Sequence, residues 1–161
     1  MLHEAGIGTL LFDLLTPDED AVYSNRFKID LLAERLKAAS FWIRKRPEAT
    51  GFTLGYFGAS TGTAAALRAA AELGSLIRTV VSRGGRPDLA GPAALSRLTA
   101  SVLLIVGRND HHVVDLNREA YAGIKAEKDL VLVPGATHLF EEPGALEEVA
   151  RLAAEWFKQR L

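Results

Sequence analysis

The run Val102-Leu103-Leu104-Ile105-Val106 contains no polar residue. A strand of that composition hides both of its faces, the situation of a parallel sheet covered by helices on two sides. Short apolar runs recur at 7–15, 52–58, 76–82 and 129–133, and the segments between several of them carry helical spacing. Over 30–46, Leu32, Leu36, Ala39 and Ile43 fall on one helical face, with Asp30 placed to cap it and Pro47 to discourage its continuation. Thr61–Leu73 reads as an Ala-rich helix ended by Gly74, and 115–125 as a short helix. Pro143 opens a last helix whose inward face is Leu146, Val149, Ala153, Trp156 and Phe157. The stretch 83–98 holds Gly84, Gly85, Pro87, Gly91 and Pro92 and reads mostly as loop. The expected fold class is therefore α/β: a mostly parallel sheet of about five strands with helices on both faces, as one domain over 1–161.

Composition narrows the function. Of 161 residues, 48% are hydrophobic, enough for a real core, and none is cysteine, so neither a disulfide framework nor a thiolate metal site is available. The net charge of −1 gives no polybasic surface for nucleic acid or membrane. No apolar run approaches the length of a membrane span, and the first twenty residues lack a basic start and a small-residue cleavage site. The expectation is a cytoplasmic protein.

Gly58-Ala59-Ser60-Thr61-Gly62 is a G-x-S-x-G sequence between an expected strand and an expected helix. On such a turn the serine hydroxyl is pushed out above the sheet, and side chains at either glycine are expected to collide with backbone. The Thr61 N–H opens the helix, where it can stabilise an oxyanion. A glycine-softened turn with a serine cap and a generic anion site are the competing readings. No Lys follows the last glycine, so the P-loop pattern is absent.

A serine nucleophile needs a base, and the base needs an orienting group. His138 follows the run at 129–133, Asp110 follows the run at 101–107, and Ser60 follows the run at 52–58. All three lie at carboxyl ends of parallel strands, which share one edge of an open α/β sheet. Asp115 is the rival acid but looks like the cap of the next helix. His111 and His112 read as rim residues, His3 as surface, and Glu141-Glu142 as complements to the last helix dipole. No zincin pattern surrounds His138, so no metal or cofactor is expected.

These segments resemble the α/β-hydrolase superfamily, in particular small dienelactone-hydrolase-like hydrolases. The resemblance rests on residues 55–62, 81–89, 103–110 and 133–140. It implies Ser60 as nucleophile, His138 as base, Asp110 as orienting acid and Thr61 N–H as one oxyanion donor. It thus implies a carboxylic-ester or lactone hydrolase acting on a small-molecule acyl substrate. Dienelactone hydrolase itself uses cysteine where this chain has Ser60, so activity on dienelactone does not carry over. The usual first strands, with the loop that gives the second oxyanion donor, have no counterpart before residue 7: a truncated α/β-hydrolase fold. Either 7–15 pairs directly with 52–58, carrying the loop 13–16 toward the oxyanion, or another chain fills the gap. The first is expected, and the exposed apolar surface favours a homodimer. An alternative is a hydrolase-fold binding or assembly protein impaired for want of the second donor, and a third is an acyltransferase using the same triad. Arg83, Arg86 and Arg97 are expected to cap helices or pair at the surface.

Overall fold

The computed structural model describes residues 2–161. Four strands form one parallel sheet: β1 (Leu54–Ala59), β2 (Ile77–Arg83), β3 (Ser101–Gly107) and β4 (Lys128–Val133). Their spatial order follows the chain, β1-β2-β3-β4. The six α-helices among the described residues are α1 (Pro17–Asp20), α2 (Ile29–Arg44), α3 (Thr61–Leu73), α4 (Pro92–Arg97), α5 (His111–Gly123) and α6 (Ala145–Arg160).

Chain-order strands have a topological consequence. Parallel crossovers are almost always right-handed, so α3, α4 and α5 must lie on the same face of such a sheet. The packing agrees. Val80, Val102 and Leu104 face α2, α3 and α4 in one cluster. Val81, Leu103 and Ile105 face Val149, Ala153, Trp156 and Phe157 of α6 in another. Every residue of β3 is buried, as the apolar run 102–106 leads one to expect, and the Ser101 hydroxyl is bonded to Thr79. The alanines of α3 let it approach the sheet closely: Ala64, Ala65, Ala69 and Ala70 are fully buried.

The apolar run at 7–15 is not a strand. It forms no ladder with any other segment, and Leu11 is 96% exposed. Leu14 and Leu15 pack against the α2–α3 side of the core, and the Leu14 carbonyl accepts a hydrogen bond from Arg35 of α2 at 2.8 Å. The expected pairing with 52–58 is therefore corrected, and the sheet has four strands rather than five. β1 is left as an edge, with its own Phe57 and the preceding Phe52 exposed. The stretch 83–98 is more ordered than its glycines and prolines suggest, since it contains α4 and a 3-10 turn at Pro87–Ala90. No helix among the described residues is long and apolar enough to cross a membrane.

Candidate active site

Ser60 stands between β1 and α3 with φ 49° and ψ −126°. A non-glycine residue rarely adopts a positive φ, and such strain persists only where the surroundings fix it. Here the Ser60 carbonyl accepts from Thr63 N–H at 3.1 Å and from Arg86 N–H at 3.0 Å. Gly58 is required sterically: a Cβ there would lie 2.7 Å from the Thr63 Cα and 2.8 Å from its nitrogen. The same reasoning fails at Gly62, where a Cβ would meet nothing within 4 Å. Ser60 Oγ makes no hydrogen bond among the described residues, and the hydroxyl is not taken up in capping α3. Thr61 is the first residue of α3, so its N–H is among the helix N–H groups without an intrahelical acceptor.

Asp110 and His138 are brought together directly. His138 Nδ1 lies 2.7 Å from Asp110 Oδ2, with the acid side chain largely buried and the imidazole partly open. Asp110 is also the N-cap residue of α5, yet its side chain caps no helix N–H. A capping Asp ordinarily turns its carboxylate onto the first turn; here it faces the imidazole instead. Asp115 is neither cap nor rival acid, because α5 begins at His111 and Asp115 pairs with Arg118 within it. His111 and His112 are exposed in the first turn of α5, and His3 bonds Thr9 at the surface.

The loop carrying His138 is pinned from three sides. Asn109 donates its N–H to Ala136 O and its amide to Gly135 O, both at 2.9 Å. Gly107 lies so close beneath the loop that a Cβ would come within 2.4 Å of Thr137 O and 2.5 Å of Ala136 O. Glu142 accepts from Thr137 N–H at 3.0 Å and from Thr137 Oγ1 at 2.6 Å. Those bonds hold its carboxyl below the usual carboxylate range, the Thr137 hydroxyl contributing most. The double-glycine turn after β2 touches both halves of the site. Gly84 backs onto the His138 carbonyl, Arg86 N–H holds Ser60 O, and Asn117 of α5 donates to Gly85 O at 3.0 Å. Glu142, Asn117 and the packing role of the Gly84-Gly85 pair were not visible as site features in the sequence. Glu142, expected to complement the α6 dipole, places its carboxylate on Thr137.

Arg86 forms a bidentate pair with Asp88. Arg83 has no ion-pair partner among the described residues; its guanidinium lies 5.9 Å from the Phe140 ring centre. Thr16 N–H, in the loop expected to supply the second oxyanion donor, is instead bonded to Glu19 Oε2. Among the described residues, no group of three or more acidic or histidine side chains is placed to hold a metal.

Sequential parallel strands, a strained serine at the first strand-to-helix turn and an Asp–His pair at the same sheet edge are the features of an α/β-hydrolase. The crystal structure of a dienelactone hydrolase from Anabaena variabilis ATCC 29413 matches with a TM-score of 0.95 and 51% identity, over 99% of this chain and 76% of that one. The chain belongs to the dienelactone hydrolase family. A dienelactone hydrolase-like promiscuous phosphotriesterase from metagenomic libraries shares the fold, with a TM-score of 0.77 at 18% identity over 99% of this chain and 77% of that one. Two curated Mycobacterium tuberculosis proteins, from strains CDC 1551 and H37Rv, are each 53% identical over all 161 residues and carry the name "Putative phosphoribosyl transferase". This chain spans 36% of their length. No protein-family model matches the chain.

Proposed function

We propose that the chain is a serine hydrolase that cleaves an ester or another acyl bond. Ser60 attacks the carbonyl while His138 accepts its proton. Asp110 holds the imidazole, and the Thr61 N–H stabilises the oxyanion. An acyl-enzyme forms on Ser60 and is released by water that His138 activates. The observation that carries this reading is the Asp110–His138 pair at 2.7 Å, on the sheet edge that also presents the unbonded Ser60 hydroxyl. Incubation of folded protein with a fluorophosphonate probe tests it. Covalent labelling of Ser60, abolished in Ser60→Ala, is expected; unlabelled wild-type protein sinks the proposal.

A second reading is favoured by the Thr16 N–H being bonded to Glu19. With a single oxyanion donor, turnover drops by about 10²–10³-fold while acylation by an activated probe persists. Rapid labelling with feeble p-nitrophenyl acetate turnover would select this one. We assign the transferase activity in the name of the mycobacterial proteins to the part of those chains outside the shared residues.

We place a second copy of the chain against the β1 edge. A 17.4 kDa globule is expected to expose about 7,900 Å², whereas this chain exposes 8759 Å². The excess, roughly 900 Å², is close to what one partner buries in a standard interface. Leu10, Leu11, Phe12, Phe52 and Phe57 supply exposed apolar groups for it. Sedimentation analysis should find a dimer that Phe57→Lys weakens; a wild-type monomer at about 100 μM would remove this part.

A further inference from the structure

We infer that Glu142 is a positioning residue that fixes His138 against Asp110; the catalytic consequence rests on the serine-hydrolase reading above. His138 sits on the connection between β4 and α6, a stretch with little regular structure of its own. Its partner Asp110 is anchored by α5, whose Val114 N–H donates to the Asp110 carbonyl at 2.9 Å. Unless the connection is equally fixed, the imidazole cannot hold a 2.7 Å bond to Asp110.

Asn109 holds the loop at Gly135 and Ala136, and Glu142 fixes it at Thr137. Its Oε1 accepts two hydrogen bonds from Thr137, the residue immediately before His138. The two bonds close a ring that spans His138 and returns the chain to the start of α6, where Ala145 N–H donates to the Glu142 carbonyl at 3.0 Å. Within the ring, Phe140 is 1% exposed and adopts a φ of 58°. A buried aromatic held in that conformation leaves the loop little freedom to relax without breaking the ring. The other oxygen, Oε2, is buried with no hydrogen-bond partner among the described residues. The carboxylate thus takes hold of Thr137 through Oε1 alone.

Three variants and two readouts separate positioning from a general structural role. The first readout is the rate of fluorophosphonate labelling of Ser60. The second is the low-field proton resonance of the His138 Nδ1–H bonded to Asp110, which does not depend on catalysis. Glu142→Ala is expected to label at least 10-fold more slowly and to lose the resonance. Glu142→Gln keeps an acceptor oxygen for Thr137 and is expected to remain within about 3-fold of wild type with the resonance present. Thr137→Val removes one of the two bonds at an exposed position and is expected to fall between them. A folded Glu142→Ala with its resonance intact and labelling within 2-fold of wild type overturns the inference. If Glu142→Ala does not fold, Thr137→Val decides: a labelling loss of about 3-fold with a weakened resonance supports the inference, and wild-type behaviour overturns it. If wild-type protein is never labelled, the hydrolase reading fails, and the resonance alone judges Glu142.

Discussion

The sharpest test of how the site is held is Gly107→Ala. Gly107 ends β3 and lies directly under the loop that carries His138. A Cβ at this position would sit 2.4 Å from Thr137 O, where ordinary contact begins near 3.4 Å. The shortfall of about 1 Å is against backbone, so no side-chain rotation relieves it, and the loop must move by about that distance. The move strains the bond from Asn109 N–H to Ala136 O and the bond from His138 to Asp110. Overpacking of this kind costs about 1–3 kcal/mol, or roughly 2–12 °C in Tm for a domain of this size. A misplacement of about 1 Å costs on the order of 10²-fold in catalysed rate. Gly62→Ala is the control, because a Cβ there meets nothing within 4 Å although Gly62 belongs to the elbow motif. Urea unfolding gives the stability, and Ser60 labelling or p-nitrophenyl acetate hydrolysis gives the activity. A Gly107→Ala protein as stable as wild type would refute the steric argument. One that is destabilised but labels at the wild-type rate would refute the link between this contact and the placement of His138.

Asp110→Asn should fold normally and lose about 10⁴-fold in kcat, because an amide stabilises the wrong imidazole tautomer; retention of more than a tenth of the activity would remove Asp110 from the triad. Trp156→Phe removes the indole N–H that donates to Thr79 Oγ1 at 2.7 Å, in a buried chain that continues to Ser101. Leaving that network short of a donor should cost about 1–3 kcal/mol by urea unfolding with little change in Ser60 labelling. Glu19 is held down to about 2, chiefly by its hydrogen bond from Arg35, against an ordinary value of 4.5. Its contribution is therefore complete above about pH 4.5 and is lost as pH falls toward 2. Glu19→Gln should differ most from wild type at neutral pH and converge with it near pH 2; parallel stability curves would contradict the pair.

Residues 101–107 announce their strand and its limits because every position is buried on both sides. The run at 7–15 is also largely apolar, with Thr9 and Asp13 within it, yet forms no strand, since a strand exists only beside a partner and apolar content does not report whether one is present. α5 begins at His111, four residues ahead of the expected 115: His111 and His112 carry no apolar periodicity, and Asp115 lies inside the helix and not at its cap. The placement of Ser60, Asp110 and His138 at one sheet edge was legible because chain order and parallel topology bring their strand ends together. Glu142 was not, since its partner Thr137 is reached through a turn whose form depends on Phe140 at positive φ. The steric need for Gly85 was equally hidden: a Cβ there would lie 2.1 Å from Ser82 Oγ and 2.3 Å from Thr63 Oγ1, contacts that exist only after β2 and α3 have packed.

The glycines explain why a small sheet can hold a strained serine in place. A residue at φ 49° relaxes unless its neighbours forbid it. Two N–H groups, from Thr63 and Arg86, fix the Ser60 carbonyl. The second comes from the double-glycine turn, which can approach only because Gly85 leaves room for the hydroxyls of Thr63 and Ser82. Those hydroxyls bond one another at 3.0 Å, and Thr63 also bonds the Gly58 carbonyl at 3.0 Å, so the same residue closes the elbow from beneath. The Gly85 carbonyl is held in turn by Asn117 of α5, the helix that Asp110 opens. Ser60 and Asp110 are thereby fastened to one another through buried backbone rather than through their own side chains. Among the described residues the Ser60 hydroxyl makes no hydrogen bond, so the hold on this turn runs through its backbone.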